Sequence, residues 1–267
     1  MFLKEKNSKI DIDSNILNKY KMDKIAYFDI ETTGFDKYED VIMLISLGWF
    51  LDRKSFYIKQ YYAENPKEEK NILSAFKKDI KKYNAWCSYN GKAFDEPFIE
   101  NRMLINHIDD FAAPLEHIDL YRLIRPYYKQ LGLERCNLKS VEKYIGINRL
   151  DQIDGGISVE LYNKYLKTND GRLQEIIMLH NYEDVLNLPK IFKVVFDIDN
   201  STKIVRDNSI TEKQLKYLKF LLQKNNINID THLDRISKRA ASKVIDGLIK
   251  GNYGSEEDVL DIINNSY

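Results

Sequence analysis

Two acids two residues apart, Asp29 and Glu31, close a short apolar run, Ile25-Ala26-Tyr27-Phe28-Asp29-Ile30. In an extended segment, side chains at i and i+2 leave on the same face. Two carboxylates held together in apolar surroundings are costly unless a cation neutralises them. Hard divalent ions such as Mg²⁺ or Mn²⁺ take oxygen ligands, so the pair is a candidate cation site. Read alone, the same pair is also what a strand end emerging into solvent looks like.

Two further acids stand at positions that could join them. Asp95 follows a strand-turn unit, Trp86 to Gly91, and precedes a helix; alone it reads as a helix N-cap. Asp184 lies in a long helical pattern four residues after His180, so the two side chains share a helix face. A neutral imidazole there could accept a proton as general base. Without partners, His180 is equally a hydrogen-bonded histidine at the edge of a core that includes Leu173, Ile176, Ile177, Leu186 and Leu188.

The elements that must position these groups follow from periodicity and breakers. Strands are expected at 25–30, 41–51 and 55–62, and a helix opened by Asn65-Pro66 runs to about Lys82. A short strand at 85–89 ends at Asn90-Gly91, and Pro97 suits the first turn of the next helix. His117 to Leu123 reads as a further extended piece. Asn137 caps a helix through Tyr144 that Gly146 stops, and helices follow at 158–166 and 173–195. Strands first, then alternation, then helices describe an α/β protein: a mixed sheet flanked by helices.

The chain has 267 residues and no net charge, so attraction to a polyanion must come from local patches. Cys87 and Cys136 are far apart, which excludes a cysteine zinc site and gives no sign of a disulfide framework. Residues 1–20 lack the continuous apolar core of a signal peptide, and no apolar run is long enough to span a bilayer. A cytoplasmic location and no membrane partner are expected.

Three segments carry a family resemblance. Phe28-Asp29-Ile30-Glu31-Thr32-Thr33-Gly34 is similar to the first motif of the DEDD (DnaQ-like, ribonuclease-H-like) 3′→5′ exonuclease superfamily. Ser88-Tyr89-Asn90-Gly91-Lys92-Ala93-Phe94-Asp95-Glu96-Pro97 resembles the second, and His180-Asn181-Tyr182-Glu183-Asp184 the third. More narrowly, the chain resembles the YprB-like predicted exonucleases of bacteria, with support from His117-Ile118-Asp119-Leu120, Asn137 to Glu142, and Asp151 through Gly155. The resemblance covers about Lys24 to Phe196. It implies a ribonuclease-H-like fold and hydrolysis of phosphodiesters from the 3′ end of DNA or RNA. It also implies two Mg²⁺ or Mn²⁺ ions held by Asp29, Glu31, Asp95 and Asp184. One branch of the superfamily has tyrosine four residues before the last Asp, and another has histidine five before it. Here His180 stands at the tyrosine spacing and Leu179 at the other.

Thr32, Thr33 and Asn90 are candidates for contact with the terminal nucleotide, or else cap and turn residues. Arg102 and Lys139 are expected as solvated surface charges, phosphate contact being the alternative. Residues 201–209 read as a polar linker between a domain at 24–200 and a small helical pair in 210–267, with 1–23 an extension. Thr211 and Ser237 cap the two helices, and Ile210 to Lys250 holds nine Lys and Arg against four Asp and Glu. That excess makes the segment a candidate for phosphate contact. Two other functions stand beside the exonuclease: a nucleic-acid-binding module without catalysis, and an accessory proofreading subunit of a helicase or polymerase. No Walker phosphate loop occurs in the chain.

Overall fold

The apolar runs assemble into one sheet. A computed structural model describes residues 1–114, 116–206, 208–229 and 233–266. In chain order the first elements are β1 (Phe2–Lys9), α1 (Ser14–Lys19), β2 (Ile25–Thr32), β3 (Ile42–Asp52), β4 (Ser55–Tyr62) and α2 (Glu69–Ile80). Then come β5 (Ala85–Ser88), α3 (Asp95–Ile105), β6 (Glu116–Asp119), α4 (Leu120–Ile124), α5 (Leu138–Tyr144), α6 (Gly155–Thr168) and α7 (Gly171–Asn200). The strand order is β1-β4-β3-β2-β5-β6. Neighbours from β1 to β2 pair antiparallel, and β2, β5 and β6 pair parallel. The fold is the expected mixed sheet flanked by helices.

Alternation along β2 sorts its residues between the two helical layers. Ala26, Phe28 and Ile30 pack with Ile72, Leu73 and Phe76 of α2 and with Phe98 and Ile99 of α3. The other face of the sheet carries Leu44 and Tyr62 against Tyr162 and Tyr165 of α6 and Leu173, Ile177 and Met178 of α7. Tyr27 turns that way too, its ring 6.4 Å from that of Phe192. Asp29 and Glu31, in phase with Tyr27, are thereby delivered to α7. Gly48 of β3 permits the close seating of this helix, since an added Cβ would come 2.8 Å from Val185 Cγ1 and 2.6 Å from the Phe56 ring.

Three elements depart from expectation. Residues 2–9, expected in an extension, form the edge strand β1 on β4. Lys4, Glu5, Lys6, Asn7 and Lys9 are charged or amide-bearing, and Phe2 and Leu3 are themselves exposed, so no buried hydrophobic pattern announces it. The piece at 117–123 is extended only to Asp119, after which Leu120 and Ile124 are buried on the one-turn α4. Ile176, expected in the core of α7, is 40% exposed.

The chain packs as two units, 1–123 with 135–197, and 124–134 with 198–267. This differs from the expected division at 201–209, because Gln130 exchanges two hydrogen bonds with the backbone of Val205. The second unit contains α8 (Glu212–Lys224), α9 (Lys238–Lys250) and a third helix, α10 (Glu256–Asn265), beyond the expected pair. Thr211 and Gln214 form a reciprocal capping box, and Ser237 caps α9.

Candidate active site

The strand pairing of β2 explains where Asp29 and Glu31 end. Its parallel ladder with β5 stops at Tyr27↔Cys87, so the amide of Ile30 has no strand partner on that side. Asp95, at the start of α3, accepts that amide hydrogen bond at 3.1 Å. The second motif is thus tied to the first between its two acids. Opposite β3, a register shift follows Glu31, where Glu31 faces Leu44 and Thr32 faces Ile42. Such a bulge bends the strand and re-aims the side chains beside it.

α7 brings the third motif. Glu31, His180 and Asp184 offer ligand atoms that all lie within 4.8 Å of one another. His180 Nε2 is 3.4 Å from Glu31 Oε1 and 3.5 Å from Asp184 Oδ2. Asn181 donates to Asp29 Oδ2 at 2.6 Å. Its own Oδ1 accepts from Ser46, which is held in turn by Gln60. Tyr182 is bonded to Ser8 of β1 and takes no part in the cluster.

The acids strain against one another. Burial, with Asp184, Asp95 and Glu31 nearby, pushes Asp29 well above the usual carboxylate range, and Asn181 offsets only part of this. Burial and the neighbouring Asp184 do the same to Glu31. Burial outweighs the Ile30 amide at Asp95, whose pKa is pushed up to about 7. Folding therefore holds together carboxylates that prefer not to be charged together. Oxygen donors with one imidazole beside them, and no thiolate, form a set that suits a hard divalent cation.

Behind His180 lies a second polar layer that sequence reasoning left without a role. Nδ1 of the ring is 2.7 Å from Asp151 Oδ2. Burial acts against the Asp151 charge, yet its bonds from His180 and the Ile153 amide hold it below the ordinary carboxylate value. Arg149 reaches Asp184 at 2.5 Å, Asp151 at 3.1 Å and Glu142 at 3.2 Å, and donates to the His180 carbonyl at 2.9 Å. Glu183 receives the amides of Leu150 and Asp151 and so fixes this loop. Neither Arg149 nor Asp151 lies in a periodic segment; Asp151 stands among the residues that support the resemblance but carries no role there, and Arg149 is not singled out by sequence. Asn181 stands inside the third motif, and only the structure gives it a partner.

The remaining candidates serve the turns. Thr32 Oγ1 donates to the Gly34 carbonyl at 2.6 Å, and Thr33 Oγ1 accepts from the Val41 amide and meets Asp40. Asn90 has φ +66, a left-handed conformation that Asn tolerates, and its amide donates to Asp119 at 2.8 Å. Arg102 and Lys139, expected as solvated charges, are both engaged. Arg102 is buried in a two-pronged pair with Glu69 at 2.8 and 2.7 Å, and Lys139 sits 3.1 Å from Asp151. Cys87 and Cys136 are buried free thiols.

A mixed sheet with acids converging from β2, α3 and α7 matches a known class. The RNase_H_2 family model, described as the RNase_H superfamily, matches residues 26–196. The chain belongs to the RNase_H superfamily, and that membership suggests a nuclease. It is similar to the "Uncharacterized protein YprB" of Bacillus subtilis (strain 168), at 29% identity over 177 residues. The similarity covers 65% of this chain and 42% of that protein, so the chain spans less than half of this relative. Among solved structures it is similar to Brucella melitensis NrnC, at 15% identity and a TM-score of 0.33, over 70% of this chain and 91% of that one. Among the described residues no helix is long and apolar enough to cross a membrane.

Proposed function

We propose that this chain is a divalent-metal-dependent 3′→5′ exonuclease acting on phosphodiester bonds of nucleic acid. The observation that carries the reading is the convergence of Asp29, Glu31, Asp95 and Asp184, three of them with pKa values raised by burial and by one another. These four acids would hold Mg²⁺ or Mn²⁺. Divalent ions held there would supply charge stabilisation for the attacking and leaving oxygens of phosphodiester hydrolysis.

The protein's own groups divide the remaining tasks. Asp151 is an ionised acceptor, so the 2.7 Å bond places the proton of a neutral ring on Nδ1 of His180. The lone pair on Nε2 then faces Glu31 and Asp184, positioned to take a proton from the attacking water as general base. Asn181 fixes the rotamer of Asp29, and the Ile30 amide that of Asp95. Arg149 orients Asp184 from behind. Thr32, Thr33 and Asn90 hold the turns beside the acids, where the terminal nucleotide would rest.

The test is a set of 5′-labelled DNA and RNA oligonucleotides, free or blocked at the 3′ end, with Mg²⁺ or Mn²⁺. Stepwise shortening of the free-ended substrates, lost in Asp29→Asn and Asp184→Asn, is expected. Internal cutting of blocked substrates, or full turnover by either variant, would overturn the reading.

A further inference from the structure

The second unit carries a surface that the proposed catalytic site leaves unused. One side of α8 is buried: Leu218, Leu221 and Leu222 pack with Ala240, Ala241 and Val244 of α9. On the helix's other side, Lys213, Tyr217, Phe220 and Lys224 follow one another at spacings of four, three and four. Residues so spaced form one stripe along a helix. Lys216 and Lys219 are exposed beside it. Tyr217 and Phe220 are 45% and 57% exposed, with ring centroids 6.4 Å apart and planes 14° from parallel. Among the described residues, no carboxylate pairs with Lys213, Lys216, Lys219 or Lys224. On the flank of α8, an open hollow of about 440 Å³ is lined by the amide side chains Gln223, Asn226 and Asn228 and by apolar Leu222, Ile227 and Leu233.

We propose that this stripe of α8 is a binding surface for single-stranded nucleic acid, with bases stacked on Tyr217 and Phe220 and phosphates on the flanking lysines. Aromatic faces offered in water among ammonium groups are the combination that single strands recognise. A duplex keeps its base faces inside the stack and gains only the lysines. An apolar protein partner would have to strip water from several ammonium groups, which is why lysine is depleted at the centres of protein interfaces. A membrane surface would need the leucines of α8, and these are spent in the unit's own core. The amides of Gln223, Asn226 and Asn228 add donors and acceptors for base edges beside the stripe. The inference does not rest on the exonuclease reading, because stacking and charge contacts need neither divalent ions nor the four acids.

The experiment measures fluorescence anisotropy of a labelled oligothymidylate, and of a duplex of equal length, with the full chain in EDTA across a salt series. The unsubstituted chain is expected to bind the single strand more tightly than the duplex. Tyr217→Ala with Phe220→Ala should weaken single-strand binding at least about fivefold per ring and leave the salt slope alone. Tyr217→Trp should retain affinity. Lys213→Gln, Lys216→Gln and Lys224→Gln together should lower the slope of log K against log salt by about 2. Equal thermal melting of all variants guards against a folding defect, as every substituted side chain is exposed. Unchanged affinity in the aromatic variant, tighter binding of the duplex, or no single-strand binding at low salt would overturn the proposal. Binding without hydrolysis in Mg²⁺ or Mn²⁺ sinks the exonuclease reading alone. Hydrolysis with an indifferent aromatic stripe sinks this inference alone.

Discussion

The imidazole of His180 is gripped by Asp151 on one side, Nδ1 to Oδ2 at 2.7 Å, and faces Glu31 and Asp184 with its other nitrogen. A carboxylate that only accepts fixes the tautomer and leaves Nε2 as the proton acceptor. If His180 transfers the proton, His180→Ala should lower kcat by roughly 10²–10⁴-fold. His180→Tyr should recover part of this by orienting the water through its hydroxyl. Asp151→Asn should also slow turnover, since an amide can present its NH₂ and push the ring into the wrong tautomer. The double variant should be no slower than His180→Ala, because Asp151 acts through the histidine. Additive losses in single-turnover rates would show that Asp151 serves something else.

Without divalent ions the acid cluster should destabilise the fold, increasingly so as pH rises. A carboxyl with a raised folded pKa contributes stability that is complete below its unfolded value and lost as pH climbs through the folded one. For Asp95 that window runs from the ordinary carboxylate value up to about 7, and Asp29 and Glu31, also raised well above the ordinary value, act in the same direction. Melting in EDTA should therefore fall from about pH 4 to about pH 7. Asp29→Asn should raise the metal-free melting temperature at neutral pH and flatten this dependence. Mg²⁺ or Mn²⁺ should stabilise the unsubstituted chain more than the variant. A lower melting temperature for Asp29→Asn in EDTA would mean that the Asn181 bond outweighs the repulsion.

Much of this was readable in the residues, for identifiable reasons. Period-two spacing sets Asp29 and Glu31 on one strand face, and 3.6-residue spacing sets His180 and Asp184 on one helix face, while only the family resemblance joins the two pairs with Asp95. The caps at Asn65, Asn137, Thr211 and Ser237 are local hydrogen bonds and stand where the residue types place them. Long-range polar partners left no such trace. Arg102 reads as a surface charge until Glu69, 33 positions away, closes on it. Asp151 and Arg149 meet His180 and Asp184 from an aperiodic loop. β1 buries almost nothing and is held by backbone pairing to β4, which composition does not encode.

Arg149 is the buried cation of that second layer, bonded to Asp184, Asp151 and Glu142 together. Burial opposes its charge, but Asp184 and Glu142 outweigh it and hold its pKa above the ordinary value. Arg149→Ala should cost about 3–5 kcal/mol, the range for removing one partner of a buried ion pair. Arg149→Lys should recover little, since an ammonium gathers its donors at one point and cannot reach acceptors arrayed around a planar guanidinium. If Arg149 also orients Asp184, the variants should bind Mn²⁺ more weakly by calorimetry, at temperatures where they remain folded. Unchanged Mn²⁺ affinity would reduce Arg149 to a structural cation.

Deleting the chain after Asn208 tests where the catalytic unit ends. A boundary at 201–209 would leave a soluble core with weaker nucleic-acid binding and a flatter salt dependence. The packing makes a different forecast, because 124–134 belongs with 198–267. Tyr127 and Leu131 are each 8% exposed, and Tyr127 lies in the field of Arg206 and Arg235. Gln130 keeps its bonds to Val205 in the truncated chain, but Arg235 and the helices behind it are gone. The cut should therefore uncover apolar side chains on 124–134, lower the melting temperature and promote aggregation. Replacing 124–134 with a short polar linker in the same truncation should restore solubility, since the removed segment then has no orphaned apolar surface. Melting and light scattering on the two truncations decide the matter. A simple deletion that stays monomeric and melts like the full chain would place the boundary after α7 and make 124–134 part of the catalytic unit.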